Sequence, residues 1–326
     1  MIWGGFALER GDRGGAVRDV QTELARAGFS PGEPDGIFGP LTERAVKALQ
    51  RRANREQTGA YGLREARWLA GAHRVQEDER TAAAGFLRGF GVASVMDSPM
   101  TQHVAEILVS AKAGELDRFA EAAGDYDVHE INAWVAWIAN YFADLGVREE
   151  RQNRGPLVDP IIRVGGGRPE DAPPWCAYFV AFCRRVAVWA WRECNPSRSD
   201  VVFDFPVSGG AARTWLRAGD DALAHDMRPP IGAAYHRTRT GNPVSHADIV
   251  RGGQSMQGHT GIVAGFDHID PAMLLCVGGN SSGAGHSSSS RGGRVAPEVV
   301  GPSRDNPQAH AAWERLVGYT IITVTE

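Results

Sequence analysis

Cys176 stands in Pro173-Pro174-Trp175-Cys176-Ala177-Tyr178-Phe179-Val180. The two prolines stop the preceding loop and favour a helix start. The run from Ala177 to Trp191 is apolar on nearly every side, broken mainly by Arg184 and Arg185. A helix of that composition is buried. Cys176 is therefore expected in the first turn of a central helix, where the N-terminal dipole favours a thiolate. Downstream lie His259, in Gly258-His259-Thr260-Gly261-Ile262-Val263, and Asn280, in Val277-Gly278-Gly279-Asn280-Ser281, each beside a strand-like run. Amide hydrolysis at neutral pH needs a nucleophile, a base that later becomes an acid, and donors for the oxyanion. Cys176 could supply the first and His259 the second. Asn280 could fix the ring, and the backbone N–H of Cys176 could meet the oxyanion. His246, in Ser245-His246-Ala247-Asp248-Ile249-Val250, is a rival base. His268 reads as a surface residue. Cys183, Cys194 and Cys276 read as packing residues.

The elements that must position these groups follow from periodicity. Ile131, Trp134, Ile138, Phe142 and Leu145 mark one face of a helix over 128–145, with Trp134 and Trp137 in the core. A short helix is expected over Ser208–Trp215 and a strand start at Pro229–Tyr235. Strand-like runs follow at 260–266, 273–277 and 316–325. The stretch from Gly278 to Gly293 is expected to be mobile, because it is too rich in Gly and Ser to pack. Helix first and antiparallel strands after gives an α+β fold. Upstream, Val17, Val20 and Leu24 line one helix, and Pro40 opens a second bearing Ala45, Val46 and Leu49. A weaker third covers Leu63 to Leu69. Gln76 to Arg80 reads as a charged linker. Ser98-Pro99 starts a helical segment that reaches Ala123 and carries no evident chemistry.

The N-terminal stretch resembles the three-helix peptidoglycan-binding domains. The matching residues are Leu8 to Gly14, Val20-Gln21, Gly28-Phe29, the string Asp35-Gly36-Ile37-Phe38-Gly39-Pro40-Leu41-Thr42, and Leu49-Gln50. Gly59-Ala60-Tyr61-Gly62-Leu63 looks like a degraded second copy of the Asp-Gly element. The resemblance implies peptidoglycan as partner, with Asp35, Gly36 and Phe38 as binding residues.

A helix-borne cysteine, then a strand-borne histidine, then an asparagine is the chain order of papain-like cysteine hydrolases. Within that group, the region from about residue 128 onward resembles the CHAP and NlpC/P60 peptidoglycan hydrolases, closer to CHAP. The resemblance rests on Glu150 with Asn153-Arg154-Gly155, Trp175-Cys176-Ala177-Tyr178-Phe179-Val180, Ser208 to Trp215, Gly258 to Gly265, and Gly278 to Ser281. It implies Cys176 as nucleophile, His259 as base and Asn280 as third member, with Trp175, Glu150 and Asn153 along the substrate groove. No acidic calcium loop precedes Cys176, so neither a metal nor a cofactor is expected. The implied organisation is a binding domain over 1–75, accessory helices over 76–127 and a cysteine amidase or peptidase over 128–326.

Composition restricts the alternatives. The chain has 326 residues and a formal net charge of −4, so no pull toward nucleic acid is expected. No apolar run reaches membrane-spanning length, so no membrane insertion is expected either. Its four cysteines form no disulfide framework or zinc spacing; Cys176 and Cys183 would lie roughly 10 Å apart along a helix. A monomer is expected. Met1 to Arg10 lacks a basic stretch leading into an apolar one, so delivery through a holin pore or a secretion system is expected. A phage or prophage endolysin fits these readings. An effector or virion-associated lysin would use the same chemistry. An acyltransferase and a non-catalytic wall-binding protein are the rivals from other classes.

Overall fold

The computed structural model describes residues 7–53, 55–69, 75–93, 95–96, 98–123, 129–219, 222–224, 227–238, 258–267, 270–281 and 293–325. The fold is α+β, with helices leading and an antiparallel sheet closing the chain.

The first module holds α1 (Gly15–Arg26), α2 (Pro40–Arg52) and α3 (Leu63–Leu69). Val17, Val20, Leu24, Phe38, Val46, Leu49 and Tyr61 form its small core. Two glutamines clip its two turns in the same way. The Gln21 side-chain carbonyl accepts from Gly36 N–H, and its amide donates to Asp35 Oδ1, Ile37 O and Thr42 Oγ1. The Gln50 carbonyl accepts from Gly59 N–H, and its amide donates to Thr58 Oγ1, Ala60 O and Glu65 Oε1. The degraded copy therefore keeps its backbone geometry, with Thr58 in the place of Asp35 and Tyr61 in the place of Phe38.

Gln76 to Arg80 is not a linker. Gln76 caps α4 (Glu77–Gly89) in a reciprocal box with Glu79. With α5 (Pro99–Lys112) and α6 (Glu115–Ala123), this helix joins a large core shared with α7 (Ile131–Asp144), α8 (Val158–Val164) and α9 (Cys176–Cys194). Leu87, Val104, Ile107, Trp134, Ile138, Phe182 and Val186 are all buried there. Trp134 and Trp137 are core residues, as their spacing suggests. The middle helices thus support α9 from behind.

After β1 (Val202–Asp204) and α10 (Ala211–Ala218) come β2 (Leu223–Ala224), β3 (Ala234–Thr238), β4 (Gly258–Phe266), β5 (Leu274–Ser281) and β6 (Arg294–Val300). The chain then runs through α11 (Pro307–Trp313), β7 (Leu316–Thr320) and β8 (Thr323–Thr325). The main sheet has the order β2-β7-β3-β4-β5-β6 and is antiparallel throughout, while β8 pairs with β1. Ile262, Ala264 and Val277 pack into the core around α9. Tyr235, Val263, Cys276 and Tyr319 form a second core with α11. Gly278 to Ser281, expected to be mobile, are buried residues of β5. The rest of that stretch up to residue 292 lies outside the described residues, as do His246 and His268. Among the described residues, no helix is long and apolar enough to cross a membrane.

Candidate active site

Cys176 is the first residue of α9. Asn153 fixes the chain just before it by donating from Nδ2 to Ala172 O at 2.7 Å. Both Asn153 and Ala172 have left-handed backbones, with φ of 52° and 44°. Trp175 is 0% exposed, and its indole N–H donates to Glu149 Oε1 at 2.8 Å. A fully covered ring offers no face to substrate, so Trp175 is an anchor for the start of α9. Glu150, expected at the groove, is exposed; the buried carboxylate at this place is its neighbour Glu149.

His259 lies near the start of β4 and is 0% exposed. Its Nε2 is 2.8 Å from Glu298 Oε1 on β6. The Cys176 side chain also bears on this imidazole. With Nε2 taken by Glu298, Nδ1 is the nitrogen left to face the sulfur. Nδ1 has no other hydrogen-bond partner among the described residues. Burial pushes the His259 pKa down, but the Glu298 carboxylate and then Cys176 outweigh it and hold the ring above its ordinary value. Burial likewise pushes Glu298 up. The facing imidazole, helped by Arg237 and Ser281, overcomes this and holds the carboxyl below the usual carboxylate range. The two shifts describe one interaction, a buried imidazolium–carboxylate pair.

The sheet register explains how β6 reaches β4 across β5. Gly278 on β5 pairs with Gly261 on β4, and Tyr235 on β3 pairs with Gly261 in turn. A Cβ on Gly278 would lie 2.3 Å from Glu298 Oε1 and 2.9 Å from His259 Nε2. A Cβ on Gly261 would lie 2.9 Å from the Tyr235 ring. The glycine pair opens a trench in which Tyr235 O–H donates to Glu298 Oε2. Glu298 thus bonds His259 with one oxygen and Tyr235 with the other.

The expectation that Asn280 is the group fixing His259 is corrected. Nε2 is bonded to Glu298, and Asn280 Nδ2 donates to Asn153 Oδ1 at 3.3 Å. Asn280 has φ 55°, a conformation asparagine tolerates better than most residues. It links β5 to the loop between α7 and α8, whose Asn153 in turn holds Ala172 in the chain before Cys176. Asn153, expected in the groove, is buried and is the other half of that link. The signal for Glu298 was a lone acid in the apolar run Val295-Ala296-Pro297-Glu298-Val299-Val300, where an acidic side chain needs a partner.

In the first module, Phe38 is 1% exposed and packs in the core, which corrects its expected role as a contact residue. Gly36 is buried under Gln21, while Asp35 is exposed. The Asp35 carboxyl is held below its ordinary value, first by the Gln21 hydrogen bond.

Residues 13–69 match the family model described as "Putative peptidoglycan binding domain". This identifies the first module as a peptidoglycan-binding domain and associates the protein with the cell wall. No curated protein and no solved structure matches the chain.

Proposed function

We propose that this protein is a cysteine hydrolase that cuts an amide or peptide bond of peptidoglycan. The observation that carries this reading is the line Cys176–His259–Glu298, beginning at a helix N-terminus. The Cys176 thiolate attacks the scissile carbonyl, and backbone N–H groups of the first turn of α9 meet the oxyanion. The His259 imidazolium gives its proton to the leaving amine. The neutral ring then takes a proton from the water that resolves the thioester, and the carboxylate product leaves. Glu298 touches the imidazole and holds its orientation and its charge. Asn280 and Asn153 position the strand and the loop around the nucleophile.

In this reading residues 1–75 hold the wall, 128–326 cut it, and 76–127 brace the catalytic part. Tethering raises the local concentration of the scissile bond. A wall-binding module joined to a wall-cutting one suits a lytic role such as that of an endolysin. The test is mass spectrometry of fragments released from purified sacculi by the wild-type protein and by Cys176→Ala. New amine and carboxyl ends seen only with the wild type are expected. Equal release by both proteins would overturn the mechanism. Retained binding with no release from any wall chemotype would overturn the hydrolase reading.

A further inference from the structure

Arg184 lies on α9 two turns beyond Cys176 and is completely buried. A guanidinium is almost never covered in this way without an acidic partner. Among the described residues no carboxylate bears on Arg184; burial pushes its pKa down to about 9, with only the Cys183 thiol acting the other way. Its Nη2 donates to Thr320 O at 2.6 Å and to Thr320 Oγ1 at 2.9 Å. Its Nε and Nη1 have no hydrogen-bond partner. The Phe205 ring stands 5.9 Å from the guanidinium carbon, at the outer limit of a cation–π contact, and supplies no acceptor.

Thr320, the last residue of β7, shares this buried place with His236 of β3. Thr320 pairs with Ala234, which packs in the core around α9, and His236 lies two residues on and so on the same face. His236 Nε2 is 2.8 Å from Thr320 Oγ1. That hydroxyl accepts from Arg184 and has no other acceptor for its own proton among the described residues, so it donates to Nε2. The ring is then neutral with its proton on Nδ1. Burial, then the Arg184 charge, holds the His236 pKa down at about 3, which agrees. The Ala211 backbone at the start of α10 favours a proton on this ring, but Nδ1 makes no hydrogen bond. The cluster therefore carries one positive charge, no acid, and three donor nitrogens without a protein acceptor: Arg184 Nε, Arg184 Nη1 and His236 Nδ1.

We infer that Arg184 and His236 hold a single compact inorganic anion of the halide class in the core between α9 and the sheet. One negative charge balances the guanidinium, and an ion accepts from several N–H groups at once. Water would supply acceptors but leave the buried charge uncompensated. Arg184, His236 and Thr320 are all fully covered, so an organic acid would have no opening for the rest of its structure. The ion would join the helix that begins at Cys176 to β3, where the residue after His236, Arg237, pairs with His259. It would thus fix the same helix–sheet joint on which the candidate active site is built. The inference stands whatever bond that site cuts.

The probe is chloride, with gluconate, too bulky for an enclosed site, replacing it at constant ionic strength. Urea unfolding of the full-length protein is followed by tryptophan fluorescence. One ion leaves on unfolding, so each tenfold rise in free chloride above its dissociation constant should raise the folding constant about 10-fold. Arg184→Met, an apolar replacement of similar length, should fold and lose this dependence. Arg185→Met is the control: Arg185 lies next along α9, is only partly buried and donates to Val164 O, so its loss should leave the chloride dependence intact. No chloride dependence in the wild type, or the same dependence in Arg184→Met, would overturn the site. If Arg184→Met does not fold, crystals of the wild-type protein grown in sodium bromide decide. An anomalous peak within hydrogen-bonding reach of Arg184 and His236 is expected there. Bromide confined to the protein surface would overturn the site.

Discussion

Glu298 is the residue on which the candidate chemistry turns. Glu298→Gln keeps the shape and removes the charge that holds His259 protonated. Fragment release should fall about 100-fold, as for loss of an orienting partner, with the fold retained. The alkaline limb of the pH–rate profile should move to lower pH, because the imidazole loses the carboxylate that raises its pKa. Asn280→Ala acts one step further away and should leave that limb in place. Gly278→Ala should be worse than either, since its new methyl would meet both Glu298 and His259. The pair also gives stability a pH window. His259 is raised, so its contribution is full below the ordinary histidine value of about 6.5 and is lost as pH rises through the folded value. Glu298 is lowered, so its contribution is present above about 4.3 and is lost as pH falls through the folded value. Urea midpoints of wild type and Glu298→Gln should differ most at pH 5 to 6 and converge on either side.

Among the elements, the two glutamine-clipped turns are the parts of the binding module most exposed to single changes. Gln21→Leu removes three donor contacts and one acceptor contact and leaves Gly36 N–H unmet in a buried site. At about 1 kcal/mol per neutral bond, the module should lose roughly 2–4 kcal/mol, read as lost sedimentation with sacculi. Sequence alone revealed the elements whose signals are local. Pro173-Pro174 announced α9, and Pro40 announced α2. The helical stripe of Ile131 to Phe142 announced α7, and the Asp35-to-Thr42 string announced the turn. Features that depend on distant partners stayed hidden. Pro297 interrupts the alternation of β6, and proline is tolerated there because β6 is an edge strand. Without β6, Glu298 had no place, and Asn280 stood in for it. Gln76 to Arg80 looked like a linker because its partner Lys112, bonded to Glu79, lies on another helix.

For the whole molecule, the binding module is seated through α3 on α7. The Leu63 N–H donates to the Asp144 side chain, so the last residue of α7 caps the first turn of α3. Burial, then the nearby Glu65, raises the Asp144 pKa to about 7, against hydrogen bonds from the α3 backbone. A raised carboxyl favours the docked form fully below the ordinary aspartate value of 3.8, and the advantage is lost as pH rises from there to about 7. Amide exchange in α3 should therefore quicken between about pH 4 and pH 7 in the wild type and level off above. Asp144→Asn keeps an acceptor for Leu63 and should flatten that dependence, once the intrinsic rate is corrected for. An unchanged dependence would remove Asp144 from the joint's pH response.

The order in which strands enter the sheet has a temporal consequence. β7 is the penultimate strand in the chain, yet it lies between β2 and β3. Ile322 N–H donates to Asn132 Oδ1, and Asn132 Nδ2 returns a bond to Ile322 O, 190 residues apart in the chain. A ribosome that has released everything up to α11 has therefore made Cys176, His259 and Glu298 but not the strand that completes the sheet around them. Closure of the sheet around the candidate site therefore waits for residues 316–325, and a chain cut short before β7 is expected to leave Cys176, His259 and Glu298 without the frame that holds them.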